Sequence, residues 1–312
     1  MTPENAEPRG PREIVAGVDG SGPAWAALEW AAAAAAGRGA ALRIVYALSM
    51  PLVREPFGKA IRMAPTPEVA ERGGAFLAAA AERVGRAHPR LPVQTQVSAR
   101  EPAPALLAAA EHAELAVVGS RGLGGLGSTF FGSVSLRVAA HAACPVVVIP
   151  PEKKGGARGD RRDVVVGVDG SPASAAALRC ALREAARIGA DLVAVHVLRA
   201  PEPPGPLAPD ADAESDRDRR TNAERVEGYV HDFVARERPP GSGGVDVRVA
   251  VMEGHAAQAL LEQSEGAALL VVGSRGHGGF LGLLLGSVSR AVLHHSAVPV
   301  MVVRSGSEPP PS

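Results

Sequence analysis

The feature that most constrains this chain is an internal duplication. IVAGVDGSGPAWAALEWAA, beginning at Ile14, returns as VVVGVDGSPASAAALRCAL, beginning at Val164. A second landmark, GSRGLGGLGSTFFGSVS from Gly119 to Ser135, returns as GSRGHGGFLGLLLGSVS from Gly273 to Ser289. Asp19 and Asp169 are 150 positions apart, whereas Gly122 and Gly276 are 154 apart, so the second copy has gained a net four residues in a loop between the landmarks. Solenoid repeats are far shorter, roughly 20–50 residues. The duplication therefore predicts two tandem domains, 12–150 and 163–304, with a linker at 151–162 and a disordered tail, SGSEPPPS, at the end. A chain of 312 residues gives each domain enough length for a core of its own.

Both copies read in the same order. Strand 1 is Ile14–Val18 or Val164–Val168. An Asp-Gly-Ser turn follows and caps a helix, with Pro23 or Pro172 in its first turn, where a missing N–H costs little. That helix is expected to stop at Gly37 or Gly189, and strand 2 to run over Leu42–Ala47 or Leu192–Val197. Proline-rich loops come next, Pro51–Pro67 and Pro201–Pro209, the second leading into an acidic stretch expected to be mobile. A helix over Glu68–Ala87 or Asp216–Arg236 precedes strand 3, Val93–Val97 or Val247–Val251. A short helix (Ala103–His112, Ala256–Ser264) and strand 4 (Leu115–Val118, Ala268–Val272) lead into the glycine segment. A last helix (Ser133–His141, Ser287–His295) and strand 5 (Val146–Ile149, Val300–Val303) close each copy. Apolar strands alternating with helices mean an α/β fold with a parallel sheet covered on both faces. Ligands of such sheets sit beyond the carboxyl ends of the strands, where the Asp-Gly turn and the glycine segment would face one cleft.

The glycine segment itself points to phosphate. A strand that ends in a glycine-rich loop and opens a helix presents backbone N–H groups and the positive end of the helix dipole. GLGGLG at Gly122–Gly127 fits G-x-G-x-x-G, but it follows strand 4 rather than strand 1, Val147 stands where the acidic residue is needed, and Leu281 replaces the third glycine in copy two. A dinucleotide fingerprint is therefore disfavoured, and no P-loop lysine motif is present.

Composition excludes further classes. Lysine plus arginine and aspartate plus glutamate number 33 each, so no basic excess argues for a nucleic-acid partner. Cys144 and Cys180 form neither a disulfide framework nor a metal pattern and read as buried thiols. The start, MTPENAEPRGPRE, lacks the basic-then-apolar run of a signal peptide, and no apolar run reaches the ~18 residues of a membrane span. The expectation is a cytoplasmic protein with no membrane partner.

What both copies share is Gly-x-x-Gly, nine residues, then Gly-Ser: Gly119 to Gly122 and Gly132-Ser133, Gly273 to Gly276 and Gly286-Ser287. With an aspartate after strand 1, this pattern resembles the universal stress protein family in its ATP-binding branch, over essentially 12–150 and 162–304. The resemblance implies two five-stranded parallel-sheet domains in order 3-2-1-4-5, of the adenine-nucleotide α-hydrolase-like kind, paired edge to edge through strand 5 as an intramolecular pseudo-dimer. It implies ATP, with or without Mg2+, as the cofactor. Val18, Asp19, Val168 and Asp169 would meet adenine and ribose, with Ala47 and Val197 flanking the base and Val118 and Val272 against the nucleoside. Gly119, Gly122, Gly273 and Gly276 would let the backbone approach ribose and phosphates. Gly132, Ser133, Val134 and Ser135, and Gly286, Ser287, Val288 and Ser289, would hold the triphosphate at a helix start, with Arg121 and Arg275 as added charge.

One departure stands out. The family favours Gly-x-Pro after strand 3; copy two has Gly254-His255-Ala256, and copy one has Arg100-Glu101-Pro102, which puts equal use of the two clefts in doubt. His196 and His277 read as a packed and a loop histidine, and His294-His295 as a helix end suited to a cation. No metal site and no dedicated catalytic base is expected, since the glycine segments offer Ser, Thr, Gly, Arg and His near the terminal phosphate. The reading favoured is a nucleotide-binding regulatory module with protein partners in stress signalling. A slow ATPase or phosphotransferase and a scaffold with structural ATP are the alternatives, and association into a homodimer is left open by the sequence.

Overall fold

The structure, a computed structural model, describes residues 12–48, 50, 52–54, 58, 60–120, 132–151, 161–198, 214–276 and 284–308. The chain forms two compact units, Met1–Glu152 and Lys153–Ser312. Unit 1 runs β1 (Glu13–Val18), α1 (Gly22–Arg38), β2 (Ala41–Ala47), β3 (Leu52–Arg54), β4 (Ala60–Arg62), α2 (Pro67–Ala87), β5 (Val93–Ser98), α3 (Pro102–Ala109), β6 (Leu115–Gly119), α4 (Ser133–His141) and β7 (Val146–Ile149). Unit 2 runs β8 (Val164–Gly167), α5 (Pro172–Ile188), β9 (Leu192–Leu198), α6 (Glu214–Glu237), β10 (Val247–Glu253), α7 (Ala256–Gln263), β11 (Leu269–Gly273), α8 (Ser287–His295) and β12 (Val300–Val303).

Each unit has a five-stranded, all-parallel sheet. The orders are β5-β2-β1-β6-β7 and β10-β9-β8-β11-β12, which is 3-2-1-4-5 in each. The central strands are closed from water on both sides: Ile14, Val15 and Ala16 of β1, and Val164, Val165 and Val166 of β8, have no exposed surface. That explains why they read as unbroken apolar runs. The alanine-rich first helices follow from the same geometry. Ala27, Ala31 and Ala35 of α1, and Ala176, Ala177, Ala181 and Ala185 of α5, are fully buried, and such small side chains let a helix axis lie close to the sheet. Among the described residues no helix is long and apolar enough to cross a membrane.

Three details differ from the sequence reading, and a fourth, the extra loop residues of copy two, is narrowed to one connection. Helix α1 continues through Gly37 and ends at Gly39, which has φ 62° and ψ 31° and returns its N–H toward Ala35 and Ala36. A helix stops where a residue can turn left-handed, and of the two glycines it is the second that does so. The loop after β2 contains an antiparallel hairpin, β3 with β4, whose three-residue strands between prolines were too short to show alternation. The four extra residues of copy two lie between α6 and β10, where 238–246 replace the shorter connection 88–92 of copy one. Arg238 pins this turn by donating to the Ser242 and Val245 carbonyl oxygens, at 2.7 and 3.2 Å. Finally, 305–308 are folded rather than a free tail. Gly306 turns at φ 80°, Ser307 Oγ donates to the Arg304 carbonyl at 2.8 Å, and Glu308 takes a two-pronged bond from Arg179. The proline-rich loop 201–209 and the start of the acidic stretch that follows it, up to 213, lie outside the described residues, as do most of the 151–162 linker and the final residues.

Helix pairs are tied by ion pairs of opposite polarity. Glu29 of α1 meets Arg83 of α2, whereas its counterpart in the duplication, Arg179 of α5, meets Glu237 of α6. Trp25, Phe76 and Tyr46 form an aromatic cluster beside the first pair, with ring centroids 5.5 and 5.0 Å apart and Arg83 over the Trp25 ring.

Both cysteines are buried, and burial pushes the Cys144 thiol up to about 12 and Cys180 to about 11. A thiol reacts as its thiolate. In the folded protein at mildly alkaline pH neither cysteine should react with a disulfide reagent on the timescale of a free thiol, and both should react at once in denaturant. A timed thiol titration with and without denaturant checks this; prompt reaction of the folded protein would contradict the burial.

Candidate functional site

The site is built at the carboxyl end of the sheet in each unit. After β1 the chain turns through Asp19-Gly20-Ser21: Asp19 Oδ1 accepts the Ser21 N–H at 2.9 Å, Gly20 sits at φ 87°, and Ser21 Oγ accepts the Ala24 N–H at 3.3 Å. Unit 2 repeats this with Asp169 Oδ1 and the Ser171 N–H at 3.0 Å, Gly170 at φ 79°, and Ser171 Oγ with the Ser174 N–H at 3.2 Å. One carboxylate oxygen thus shapes the turn, and the serine caps its own helix.

The glycine segment comes against this turn because of one close approach. A Cβ built on Gly119 would lie 2.7 Å from the Pro23 backbone carbon and 2.9 Å from the Ala24 nitrogen. On Gly273 it would lie 2.9 Å from the Ala173 backbone carbon and 3.0 Å from its oxygen. Strand β6 or β11 therefore ends directly on the first turn of α1 or α5, which only a residue without Cβ permits. In unit 2 the contact extends further. A Cβ on Gly276 would lie 2.3 Å from Asp169 Oδ2, so the second carboxylate oxygen faces the glycine bend, and Ser171 Oγ lies 3.5 Å from the Arg275 carbonyl oxygen. Asp169 and Arg275 are themselves exposed.

The base of each glycine segment is pinched shut. Gly132 donates its N–H to the Ser120 carbonyl at 2.8 Å, and Gly286 donates to that of Ser274 at 2.7 Å. Ser135 Oγ donates to the Gly119 carbonyl at 2.5 Å, and Ser289 Oγ to that of Gly273 at 2.7 Å. These buried serine hydroxyls tie helix to strand, so toward an anion their positions contribute chiefly backbone N–H. Among the described residues no side chain caps the helix starts above them. α1, α2 and α5 carry hydroxyl caps from Ser21, Thr66 and Ser171. α4 and α8 begin instead at Gly132 and Gly286, with no side-chain cap. The N–H groups of Ser133, Val134 and Ser135, and of Ser287, Val288 and Ser289, point out of the first turn without a helical acceptor, at the positive end of the dipole. Ser133 and Ser287 are exposed there.

The remaining candidates lie at the strand ends or outside the described residues. Val18, Val118, Val168 and Val272 are buried, 3 to 6% exposed, and form the floor at the strand ends. Ala47 and Val197 are half-buried at the ends of β2 and β9. Arg121 and Gly122 lie outside the described residues, as does His277. His196 is half-buried: its Nδ1 stands 2.8 Å from the Val168 carbonyl oxygen, so that nitrogen carries the proton. Its counterpart in unit 1, Tyr46, stacks on Phe76 instead.

Sequence reasoning missed Ser120 and Ser274, buried at 4 and 3%, whose carbonyls close the loop base. Ser120 Oγ is buried with no hydrogen-bond partner among the described residues. The signal was present, since Gly-Ser-Arg-Gly recurs unchanged in both copies. The turns after strand 3 differ as their residues do. Gly254 adopts φ 127° and donates to the Leu198 carbonyl at 3.0 Å, whereas the Arg100 N–H is held by Ser98 Oγ at 3.2 Å. Beside Arg100 is an open depression of about 710 Å3 lined by Val97, Ser98, Ala99, Glu101 and Pro104.

A profile of the universal stress protein family matches residues 11–150 and again 160–304. The chain belongs to the universal stress protein family. It is similar to a universal stress protein of Mycolicibacterium smegmatis, 37% identical over 296 residues that span 93% of this chain and 96% of that one. It is also similar to one of Mycobacterium tuberculosis, 35% identical over 310 residues, 96 and 99% of the two chains. Among solved structures, a universal stress protein from Archaeoglobus fulgidus superposes with a TM-score of 0.62 at 21% identity, covering 94% of this chain and 98% of that one. At that identity the likeness shows the fold, and both family matches carry the tandem arrangement across almost the whole chain.

Proposed function

We propose that each unit of this universal stress protein binds ATP between its aspartate turn and its glycine segment, and that the protein is a nucleotide-dependent regulatory module in the cytoplasm rather than an efficient enzyme. The observation that carries this reading is the Asp169 carboxylate facing Gly276 while Gly273 packs on Ala173. In unit 2 the carboxylate turn and the glycine bend lie side by side, and a nucleotide entering between them would turn the exposed Asp169 side chain aside.

The residues fit the nucleotide in three zones. The strand ends offer a small apolar wall for a base, with Ala47, Val18 and Val118 in unit 1 and Val197, Val168 and Val272 in unit 2. Asp19 and Asp169 are acceptors for ribose hydroxyls. Phosphates would lie over Gly119 and Gly122, or Gly273 and Gly276, toward the open N–H groups of 133–135 or 287–289, with Arg121 and Arg275 adding charge. Among the described residues no three His, Cys, Asp or Glu side chains converge to hold a metal, so an accompanying Mg2+ would be held chiefly by phosphate oxygens. Efficient hydrolysis needs a group that orients the attacking water, and the open helix starts present Gly, Ser and Val. Bound nucleotide would alter the surface that a protein partner in stress signalling reads.

The test is direct. Nucleotide released from denatured protein is identified by mass spectrometry, and ATP is titrated calorimetrically into nucleotide-free protein. ATP is expected as the released species. Asp19→Ala and Asp169→Ala should each weaken one site by about 10–100-fold, as loss of charge-assisted hydrogen bonds does. Absence of released nucleotide together with a flat titration would overturn the proposal, and hydrolysis that tracks the aspartates would move it toward an ATPase.

A further inference from the structure

Strand β5 is an edge strand whose outer side no described strand pairs. Its inner side is settled by two hydrogen bonds: Leu42 N–H donates to the Pro92 carbonyl and Leu48 N–H to the Ser98 carbonyl, both at 2.8 Å. A parallel ladder uses alternate residues of each strand. Pro92, Gln94, Gln96 and Ser98 therefore bond to β2, and Val93, Thr95 and Val97 aim N–H and C=O outward. That outward row is centred on Thr95, and so is the sequence, because Val93-Gln94-Thr95-Gln96-Val97 reads the same in both directions.

We propose that β5 pairs antiparallel with β5 of a second copy of this chain, about a two-fold axis at Thr95. In that register Thr95 faces Thr95 of the second copy, Val93 faces Val97, and Gln94 faces Gln96. The three outward residues then exchange both N–H and C=O with their opposites. A two-fold interface requires a self-complementary patch, and a palindromic strand whose outward row shares its centre is one. Val97 is 38% exposed in the single chain, one of few large apolar residues left open among the described residues, and this pairing covers it with a valine.

The edge is also undefended. Proteins protect free edges with charge, proline or bulges, and β5 has none of these between Val93 and Ser98. The corresponding strand of unit 2 is different. Leu192 N–H donates to the Asp246 carbonyl at 2.9 Å, so Val247, Val249, Val251 and Glu253 face outward, and Arg248 is exposed beside them. That row ends in a carboxylate and the strand is not palindromic, so the second copy is directed to unit 1. The interface is a single ladder, so the dimer is weak and concentration-dependent. This inference stands independently of what the glycine segments bind.

Sedimentation velocity of the full chain tests it. The mass should rise with concentration from 31.8 kDa toward twice that value. Thr95→Lys sets two ammonium groups face to face across the axis and should leave the chain monomeric throughout, whereas Val249→Lys should dimerise like the parent. A thermal melt checks that both variants are folded. Thr95→Cys gives an independent reading, because opposed residues in such a pair have Cα atoms roughly 5.5 Å apart, within disulfide reach. Mild oxidation should yield a covalent dimer through that position. A parent that stays monomeric at every concentration, as it would if this edge took a strand of some other protein, overturns the proposal. So does a dimer that Thr95→Lys leaves intact, or one that Val249→Lys abolishes.

Discussion

Gly119→Ala and Gly273→Ala are each expected to destabilise their own unit by about 1–3 kcal/mol, the range for overpacking a close contact. The added Cβ would meet backbone: the Pro23 carbon at 2.7 Å in one unit and the Ala173 carbon at 2.9 Å in the other. Backbone cannot swing aside as a side chain can. Relief requires the first turn of α1 or α5 to lift off the sheet, and that turn carries the Ser21 or Ser171 cap and the aspartate. For a unit of this size a loss of 1 kcal/mol lowers the midpoint by roughly 2–4 °C. Calorimetric unfolding should show an earlier transition for the altered unit, with Gly119→Ala, the tighter contact, losing more. An unchanged melting profile would mean that strand and helix are not held this close.

Gly276→Ala should do the reverse, sparing stability and damaging binding. Its Cβ would meet Asp169 Oδ2 at 2.3 Å, the far end of an exposed side chain that can rotate away. The cost in stability should be no more than about 1 kcal/mol, that of the hydrogen bond from the Ser171 N–H which the rotation gives up. The rotated carboxylate and the new methyl group would occupy the space assigned to ribose and phosphate. On the nucleotide reading, affinity in unit 2 falls by an order of magnitude or more while unit 1 keeps its own. Calorimetric titration alongside a melting curve separates the two effects. A folded variant with parental affinity at both sites would remove Gly276 from the site, and a variant that melts early would show the bend to be structural.

The contrast between these glycines shows how far the sequence carried. Both belong to one repeated motif, and the motif was legible because two copies kept its spacing while the rest diverged. The strands were legible too. Val146–Ile149 and Val300–Val303 appear as read, since a buried parallel strand has to be an apolar run. Less legible were elements set by contacts distant in sequence. The hairpin of β3 and β4 has strands of three residues each, below any periodicity. The final segment reads as polar and proline-rich, and only the Arg179 and Arg183 side chains, over a hundred residues earlier, draw Glu308 onto the fold.

Local chemistry determined much of this protein in advance. The duplication, the parallel α/β order, the serine-capped first helices and the glycine-headed helices after β6 and β11 follow from residue type and spacing, because caps, turns and buried strands are short-range requirements. Tertiary structure decided the rest. It assigned Gly273 to backbone contact and Gly276 to a carboxylate, turned Ser135 and Ser289 inward to strand carbonyls, and gave equivalent helix pairs opposite charge. It also left Thr95 at the centre of an outward-facing row. Each of these depends on which distant atom stands opposite, a relation set by packing in three dimensions that residue order does not encode locally.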